Sequence, residues 1–218
     1  QAVALGCQSI AYTYTEPTIF FEYAYDVGVL AKERGLKNVF VSNGYIGEEA
    51  AEKIIPILDA NNIDLKGDDQ FYRKVCGARL EPVLHNIEMF WKKGVWVEVT
   101  TLIIPGYNDS LEQLQEIAQF VASVSRDIPW HVSAFYPTYK LTDVPRTGVD
   151  ALRRGIEAGR EAGLKYIYMG NIPGEGENTL CPVCKEVQIE RLGFRIMRNS
   201  IIDGRCSKCG SAIAGVWS

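Results

Sequence analysis

Four cysteines in two pairs, Cys181-Pro182-Val183-Cys184 and Cys206-Ser207-Lys208-Cys209, have the plainest chemical purpose in this chain. A Cys-x2-Cys pair can present two thiolates to one side of a metal ion, and two such pairs complete a tetrahedron. Between them Val187/Ile189 and Phe194/Ile196 alternate as a β-hairpin would, so the segment reads as a four-cysteine zinc ribbon. Four thiolates also suit iron, so these residues leave Zn or Fe open. A domain of about 40 residues buries too little apolar surface to fold unaided, and the metal is the expected source of its stability. Cys7 and Cys76 have no ligand spacing to these four or to each other, and read as small buried apolar residues.

Polar residues at strand ends form the second set of candidates. Ile10, Tyr12 and Tyr14 alternate with Ala11, Thr13 and Thr15 in the period of a strand, and Pro17 then fits the first turn of a helix. Glu16 thus lies where a strand hands over to a helix, at the rim where parallel barrels gather reacting groups. The helix dipole alone would also favour a carboxylate there. Asp64 and Lys66, two apart in an expected strand over residues 63–66, share one face, with Leu65 on the other. They read either as an ion pair or as a paired acid and base for a polar ligand. Ser42-Asn43-Gly44-Tyr45 follows another short strand, although Asn43 before Gly44 also suits a plain turn. His131, in an apolar strand, reads as a satisfied core histidine, and His85 as an exposed neighbour of an apolar helix face.

The elements that must position these residues follow a simple alternation. A helix is expected over residues 17–34, with Ile19, Phe20, Tyr23, Ala24, Val27, Leu30 and Ala31 at helical spacing and Gly35 as its stop. Strands are expected over residues 38–41, 63–66, 95–104, 130–135 and 165–169, and helices over 48–55 and 149–162. A further helix opens at Pro82 and closes at Gly94, and another follows a capping-box pair, Ser110 with Gln113. Six strands alternating with helices imply right-handed crossovers and a parallel sheet or (β/α) barrel. Beyond Asn171 the composition turns rich in proline and glycine. The expected division is a partial, TIM-like barrel over 1–173 and the zinc ribbon over 174–218.

Hydrophobic residues make up 47% and charged residues 23%, an ordinary globular composition. A net charge of −4 gives no footprint for nucleic acid, and no apolar run approaches the roughly 20 residues that span a bilayer. No export signal is visible, and paired cysteines of this kind favour a reducing, cytoplasmic setting. The chain opens at Gln1 and soon enters a buried-looking strand with nothing before it to cover it, which suggests an N-terminally truncated piece.

Several stretches occur together and in order: Ala11-Tyr12-Thr13-Tyr14-Thr15-Glu16-Pro17-Thr18, Ser42-Asn43-Gly44-Tyr45, Asp64-Leu65-Lys66, Ile104-Pro105-Gly106-Tyr107-Asn108, and Tyr168-Met169-Gly170-Asn171-Ile172-Pro173-Gly174. With the terminal Cys-x2-Cys pairs, this set resembles radical S-adenosylmethionine (SAM) enzymes related to pyruvate formate-lyase activating enzyme. More narrowly it resembles the radical enzyme of the AmmeMemoRadiSam system. The resemblance covers essentially the whole chain. It implies an oxidoreductase barrel in which a reduced 4Fe-4S cluster cleaves SAM to a 5′-deoxyadenosyl radical that abstracts hydrogen from a protein or small-molecule substrate. Activation of a partner by glycyl-radical formation is an analogy of fold. A low-potential donor such as flavodoxin or ferredoxin is implied as partner, with no membrane and no nucleic acid.

By the same resemblance Glu16 would hold the methionine ammonium, and Ser42 and Asn43 would contact the bound cofactor. Asp64 and Lys66 would meet its ribose and carboxylate, and Ile104-Pro105-Gly106 would line the adenine side. The chain departs from the family in lacking the Cys-x3-Cys-x2-Cys loop that holds the cluster, so this fragment is expected to be inactive alone. Tyr14-Thr15 also stands where the wider family has two glycines, and Phe135-Tyr136-Pro137 where activating enzymes carry a ribose-side histidine. Two other readings remain: an inert barrel carrying a zinc-ribbon protein-interaction module, and a cluster-free hydrolase or aldolase with Asp64 as base and Lys66 as Schiff-base former.

Overall fold

A computed structural model of the chain describes residues 1–172 and 174–217. Pro173, the expected end of the barrel, and Ser218, the expected end of the ribbon, lie outside the described residues. Strands β1 (Ser9–Tyr12), β2 (Lys37–Ser42), β3 (Ala60–Asp64), β4 (Trp96–Ile103), β5 (Trp130–Ala134) and β6 (Ile167–Gly170) form a parallel sheet in that order. The order starts at β1 and stops at β6, so among the described residues the sheet stays open. Helices α1 (Phe21–Glu33), α2 (Glu48–Ile54), α3 (Asp69–Phe71), α4 (Glu81–Lys92), α5 (Leu111–Val124) and α6 (Val149–Glu161) make the connections. A separate antiparallel sheet contains β7 (Thr179–Leu180), β8 (Val187–Leu192) and β9 (Arg195–Asn199). Among the described residues no helix is long and apolar enough to cross a membrane.

Two compact units divide the chain. The first comprises residues 1–65 and 72–99. In it β1 pairs with β2 from Ser9↔Lys37 to Tyr12↔Phe40, and β2 with β3 from Val39↔Ala60 to Ser42↔Ile63. α1 buries a narrow stripe of small residues, Ala24, Gly28 and Ala31. A Cβ on Gly28 would meet Ile57 Cδ1 at 3.1 Å, so the glycine permits this close approach. Asn38, 1% exposed, has its polar atoms paired beneath the helix. Its Nδ2 donates to the carbonyls of Gly28 and Ile57, and its Oδ1 accepts the Tyr12 hydroxyl. Because only the small residues face inward, Tyr23 and Leu30 are 69% and 51% exposed, contrary to the apolar face expected of them. α1 starts at Phe21 rather than at residue 17, so Ile19, 77% exposed, lies before the helix.

Other expectations also shift. β3 ends at Asp64, so Lys66 lies beyond the strand rather than within it. A π-helical segment at Tyr72–Cys76 follows α3, where the sequence shows no helical period. Cys7 and Cys76 are exposed, not buried. Cys7 lies in the segment before β1, and Cys76 is the last residue of the π-helical segment. His85 is exposed, and His131 is partly buried with its ring stacked on Tyr168 at 5.2 Å.

The second unit comprises residues 66–71 and 100–218, of which Pro173 and Ser218 are not described. Here Ser110 caps α5 by accepting from the Gln113 amide at 3.2 Å. Trp130 is fully buried and donates from Nε1 to Thr101 Oγ1 at 2.9 Å. Gly155 and Gly159 let α6 lie close to the strands, since added Cβ atoms would stand 3.0 Å from Val132 Cγ1 and 2.7 Å from Ile167 Cδ1. The β7–β9 region has a small core in which Cys181, Cys206 and Ile213 pack on Tyr166, whose hydroxyl accepts the Ala214 amide at 2.8 Å.

Candidate cofactor and metal sites

Glu16 follows β1, and its carboxylate is only 7% exposed. Oε1 accepts the Ser42 hydroxyl at 2.7 Å, the Thr18 hydroxyl at 3.1 Å and the Thr18 amide at 3.3 Å. Oε2 accepts the Asn43 amide at 2.7 Å. All are hydrogen bonds to a charged acceptor, which are shorter and stronger than neutral ones. Among the described residues no basic side chain pairs with this buried carboxylate, and Oε2, with a single donor, keeps acceptor capacity.

The turn after β2 is built to present those donors. Ser42 Oγ accepts the Gly44 amide at 3.0 Å while donating to Glu16, and Asn43 Oδ1 accepts the Tyr45 amide at 2.8 Å. Gly44 has φ +71°, and a Cβ there would stand 2.6 Å from Ile63 Cγ2. Both the backbone conformation and the crowding require glycine. From α4, Asn86, 2% exposed, donates through Nδ2 to the carbonyls of Gly44 at 2.8 Å and Ile46 at 2.9 Å. Ser42 and Asn43 therefore cradle Glu16. Asn43 Nδ2 donates to nothing among the described residues.

The other expected site residues are distributed between the units. Asp64 ends β3 in the first unit, partly buried, with its carbonyl accepting the Tyr72 hydroxyl at 3.2 Å. Lys66 and Ile104 belong to the second unit, where Asn108 joins their backbones. Fully buried Asn108 donates to the Lys66 carbonyl at 2.5 Å and the Leu102 carbonyl at 2.8 Å, and accepts the Ile104 amide at 2.6 Å. The Ile104 side chain packs with Phe71, Phe135 and Val144. The Ile104 carbonyl accepts the amides of Tyr107 at 3.1 Å and Asn108 at 3.3 Å.

Thr18, Asn86 and Asn108 were not among the residues expected at the site. Two signals could have found them. Asn86 interrupts the apolar face of Val83, Ile87 and Phe90, and a polar residue on such a face needs a buried partner. Thr18 lies two residues after a carboxylate, within reach of a local side-chain turn.

In the second unit the four sulfurs of Cys181, Cys184, Cys206 and Cys209 lie within 4.8 Å of one another, a group that could hold a metal ion. Cys181 and Cys209 are 3.6 Å apart, as are Cys184 and Cys206. With metal–sulfur bonds of 2.3 Å a tetrahedron has edges of about 3.8 Å, so the spacing suits one ion held by four thiolates. The two knuckles share a design. The Lys185 amide returns to the Cys181 carbonyl at 3.0 Å, and the Gly210 amide to the Cys206 carbonyl at 2.9 Å. Lys185 and Gly210 have φ +62° and +73°. Ser211, through its hydroxyl and then its amide, draws the Cys209 thiol down to about 6. The Glu186 amide pulls Cys184 downward as well, yet burial and the neighbouring thiols push it up to about 12. Metal ligation requires thiolates, so filling this group with a metal ion releases protons.

The Radical SAM superfamily profile matches residues 1–121, more than half of the chain, and the chain belongs to that superfamily. An uncharacterized protein of Methanocaldococcus jannaschii, MJ0808, is 48% identical over 216 residues, covering 97% of this chain and 64% of that protein. The chain therefore spans about 64% of the length of this curated relative. Among solved structures, a domain of pyruvate-formate lyase-activating enzyme from Bacteroides vulgatus superposes with a TM-score of 0.63 at 18% identity, over 75% of this chain and 99% of that one. Streptococcus suis SuiB superposes with a TM-score of 0.62 at 18% identity, over 78% of this chain and 41% of that one. At such identities the likeness shows the fold.

Radical SAM membership implies SAM and an iron–sulfur cluster. The niche fits the first: a buried carboxylate with no protein cation and a spare acceptor site suits an ammonium group. The second does not fit these residues. Besides the four grouped cysteines the chain offers only Cys7 and Cys76, both exposed and without cluster spacing. The four sulfurs themselves stand too close together to serve the separate irons of a four-iron cluster.

Proposed function

We propose that this chain forms the SAM-binding flank of a radical SAM oxidoreductase of the AmmeMemoRadiSam type, akin to pyruvate formate-lyase activating enzyme, and that a longer protein performs its reaction. The observation that carries this reading is the Glu16 carboxylate, buried and held by four donors with no basic side chain to neutralise it. Bound SAM supplies, on one-electron reduction, a 5′-deoxyadenosyl radical for hydrogen abstraction. The chain's residues bind and orient. Glu16 Oε2 accepts from the methionine ammonium, and Ser42, Thr18 and the Asn43 amide fix the carboxylate so that little reorganisation accompanies binding. Asn43 Nδ2 reaches the bound cofactor, Asp64 and Lys66 meet its ribose and carboxylate, and the Ile104 backbone lines its adenine side. SuiB has been crystallised with SAM and with the precursor peptide SuiA, which supports a peptide or protein substrate here. The electron donor in this reading is a ferredoxin or flavodoxin.

Residues 174–217 act in this reading as a zinc-stapled ribbon. Titration of SAM into wild-type and Glu16→Gln protein tests the carboxylate's role. Loss of one hydrogen bond to a charged group should weaken binding roughly tenfold to a hundredfold. Equal affinity would remove Glu16 from the site.

One observation favours the reading of an inert barrel with an interaction module. The β8–β9 hairpin leaves Leu192, Phe194, Ile196 and Met197 more than half exposed. Failure of wild-type protein to bind SAM, with partner binding lost on Phe194→Ser, would select it.

A further inference from the structure

One large concavity of the second unit lies beside the metal site, with Cys181 among its lining residues. It encloses about 660 Å³ between the loop joining α6 to β6 and the Cys181–Cys184 knuckle. Ile156, Leu164 and Leu180 give it apolar walls, and Arg160, Lys165 and Lys185 are its charged residues. Among the described residues no acidic side chain lines it, although the chain as a whole carries a net charge of −4. Two of the cations have surface partners: Arg160 lies 3.6 Å from Glu157, and Lys165 lies 2.8 Å from Asp127. All four side chains are more than a third exposed, and pairs of this kind contribute about 0–1 kcal/mol, so a better-placed carboxylate can displace the partner. Among the described residues the Lys185 ammonium donates only to the Pro182 carbonyl, at 3.0 Å.

Backbone geometry adds an independent feature. β6 and β7 are end strands of their respective sheets, and both contribute residues to the cleft. The Trp130 amide donates to the Tyr166 carbonyl at 3.0 Å, with Trp130 opposite Ile167 in the parallel register. Alternation along a parallel strand then turns the amide and carbonyl of Ile167 away from β5. The next outward amide, that of Met169, is satisfied by the Gly176 carbonyl at 3.0 Å. Ile167 is thus the point on β6 at which an added strand can pair.

We propose that this cleft docks an extended acidic peptide segment of a partner protein, which pairs with the β6 edge at Ile167 and sets carboxylates against Arg160, Lys165 and Lys185. An extended peptide turns successive side chains to opposite faces, so acidic residues alternating with apolar ones meet both the cations and the apolar walls. The site lies at the N-terminal end of β6, whereas catalytic groups of parallel barrels gather at the C-terminal ends. It is independent of the SAM reading.

The test is fluorescence anisotropy with a labelled peptide of alternating glutamate and leucine, titrated into the metal-loaded full chain. Saturable binding is expected, weakened about tenfold by Arg160→Glu with Lys185→Gln and further reduced at high salt. A peptide N-methylated along its backbone should bind less well, because it cannot pair with a strand edge. Unchanged circular dichroism and metal content would verify that the double variant is folded. The proposal fails if there is no saturable binding, if the double variant binds as wild type, or if a lysine–leucine peptide binds equally well. It also fails if inorganic phosphate displaces the peptide as effectively as unlabelled peptide does, for the cleft would then be a plain anion site. Undiminished affinity of the N-methylated peptide would overturn the edge pairing.

Discussion

Around Glu16 a carboxylate is held by hydroxyl and amide donors on a turn, and that turn is held by Asn86 from a helix and by the packing of Gly44 on Ile63. Around the four cysteines the order of support is reversed. Cys181 and Cys206 are themselves half of a four-residue core, with Tyr166 and Ile213, and every residue of β9 is exposed. The first site is a product of its fold, whereas in the zinc-ribbon reading proposed above the second binds an ion that stabilises the segment presenting it. The difference has a physical source. A carboxylate can be buried when enough donors satisfy it, while four thiolates crowded within 4.8 Å repel one another unless a cation lies between them.

The largest test of this contrast is metal removal. Structural zinc contributes on the order of 10 kcal/mol in small thiolate domains, so chelation should unfold residues 179–217 and leave β1–β3 protected in hydrogen exchange. Lowering the pH should act in the same direction, because protons compete with the metal for the thiolates. Loss of protection in β1–β3 together with the ribbon would erase the distinction.

Within the first unit, Asn86→Ala strips two carbonyls of their buried donor and should cost about 3 kcal/mol in chemical denaturation. Gly44→Ala places a Cβ against Ile63 at a positive φ and should cost about 2 kcal/mol. Neither change should alter metal content. Ser42→Ala removes a single hydrogen bond to the carboxylate, with an expected loss of about 1.5 kcal/mol and a parallel weakening of SAM binding.

The smallest effect concerns the two knuckles. Lys185 occupies the left-handed conformation that Gly210 occupies in the other knuckle, and such a residue carries a strain of about 1 kcal/mol. Lys185→Gly should therefore raise the melting temperature of the metal-loaded ribbon by a few degrees. No shift would mean that the lysine's other contacts offset the strain.

Much of this protein was legible in the chain itself. Strand and helix periods located all six parallel strands to within a few residues, and the spacing of the cysteine pairs predicted that their sulfurs would meet. Glu16 was legible as a polar residue between a strand and a helix, because that position depends only on local pattern. Its partners were less so. Ser42 lies 26 residues further on, and Asn86 acts 42 residues from Gly44, so neither contact leaves a local trace. The expected apolar face of α1 failed for a related reason. Periodicity marks where apolar residues recur, but the sheet selected the small stripe Ala24, Gly28 and Ala31 because it allows the closest approach.

By itself the sequence determined the order of elements, the ligand set of the metal group and the polar residues available at the strand ends, all of which follow from local periodicity and spacing. Only the tertiary structure decided that Ser42 and Asn43 hold Glu16, that Asn108 joins Lys66 to Ile104, that Cys7 and Cys76 face solvent, and that basic side chains gather beside the open edge of β6. Those outcomes depend on which distant segments come into contact. Close packing and hydrogen-bond satisfaction of the whole unit select those contacts, not the pattern of any one stretch.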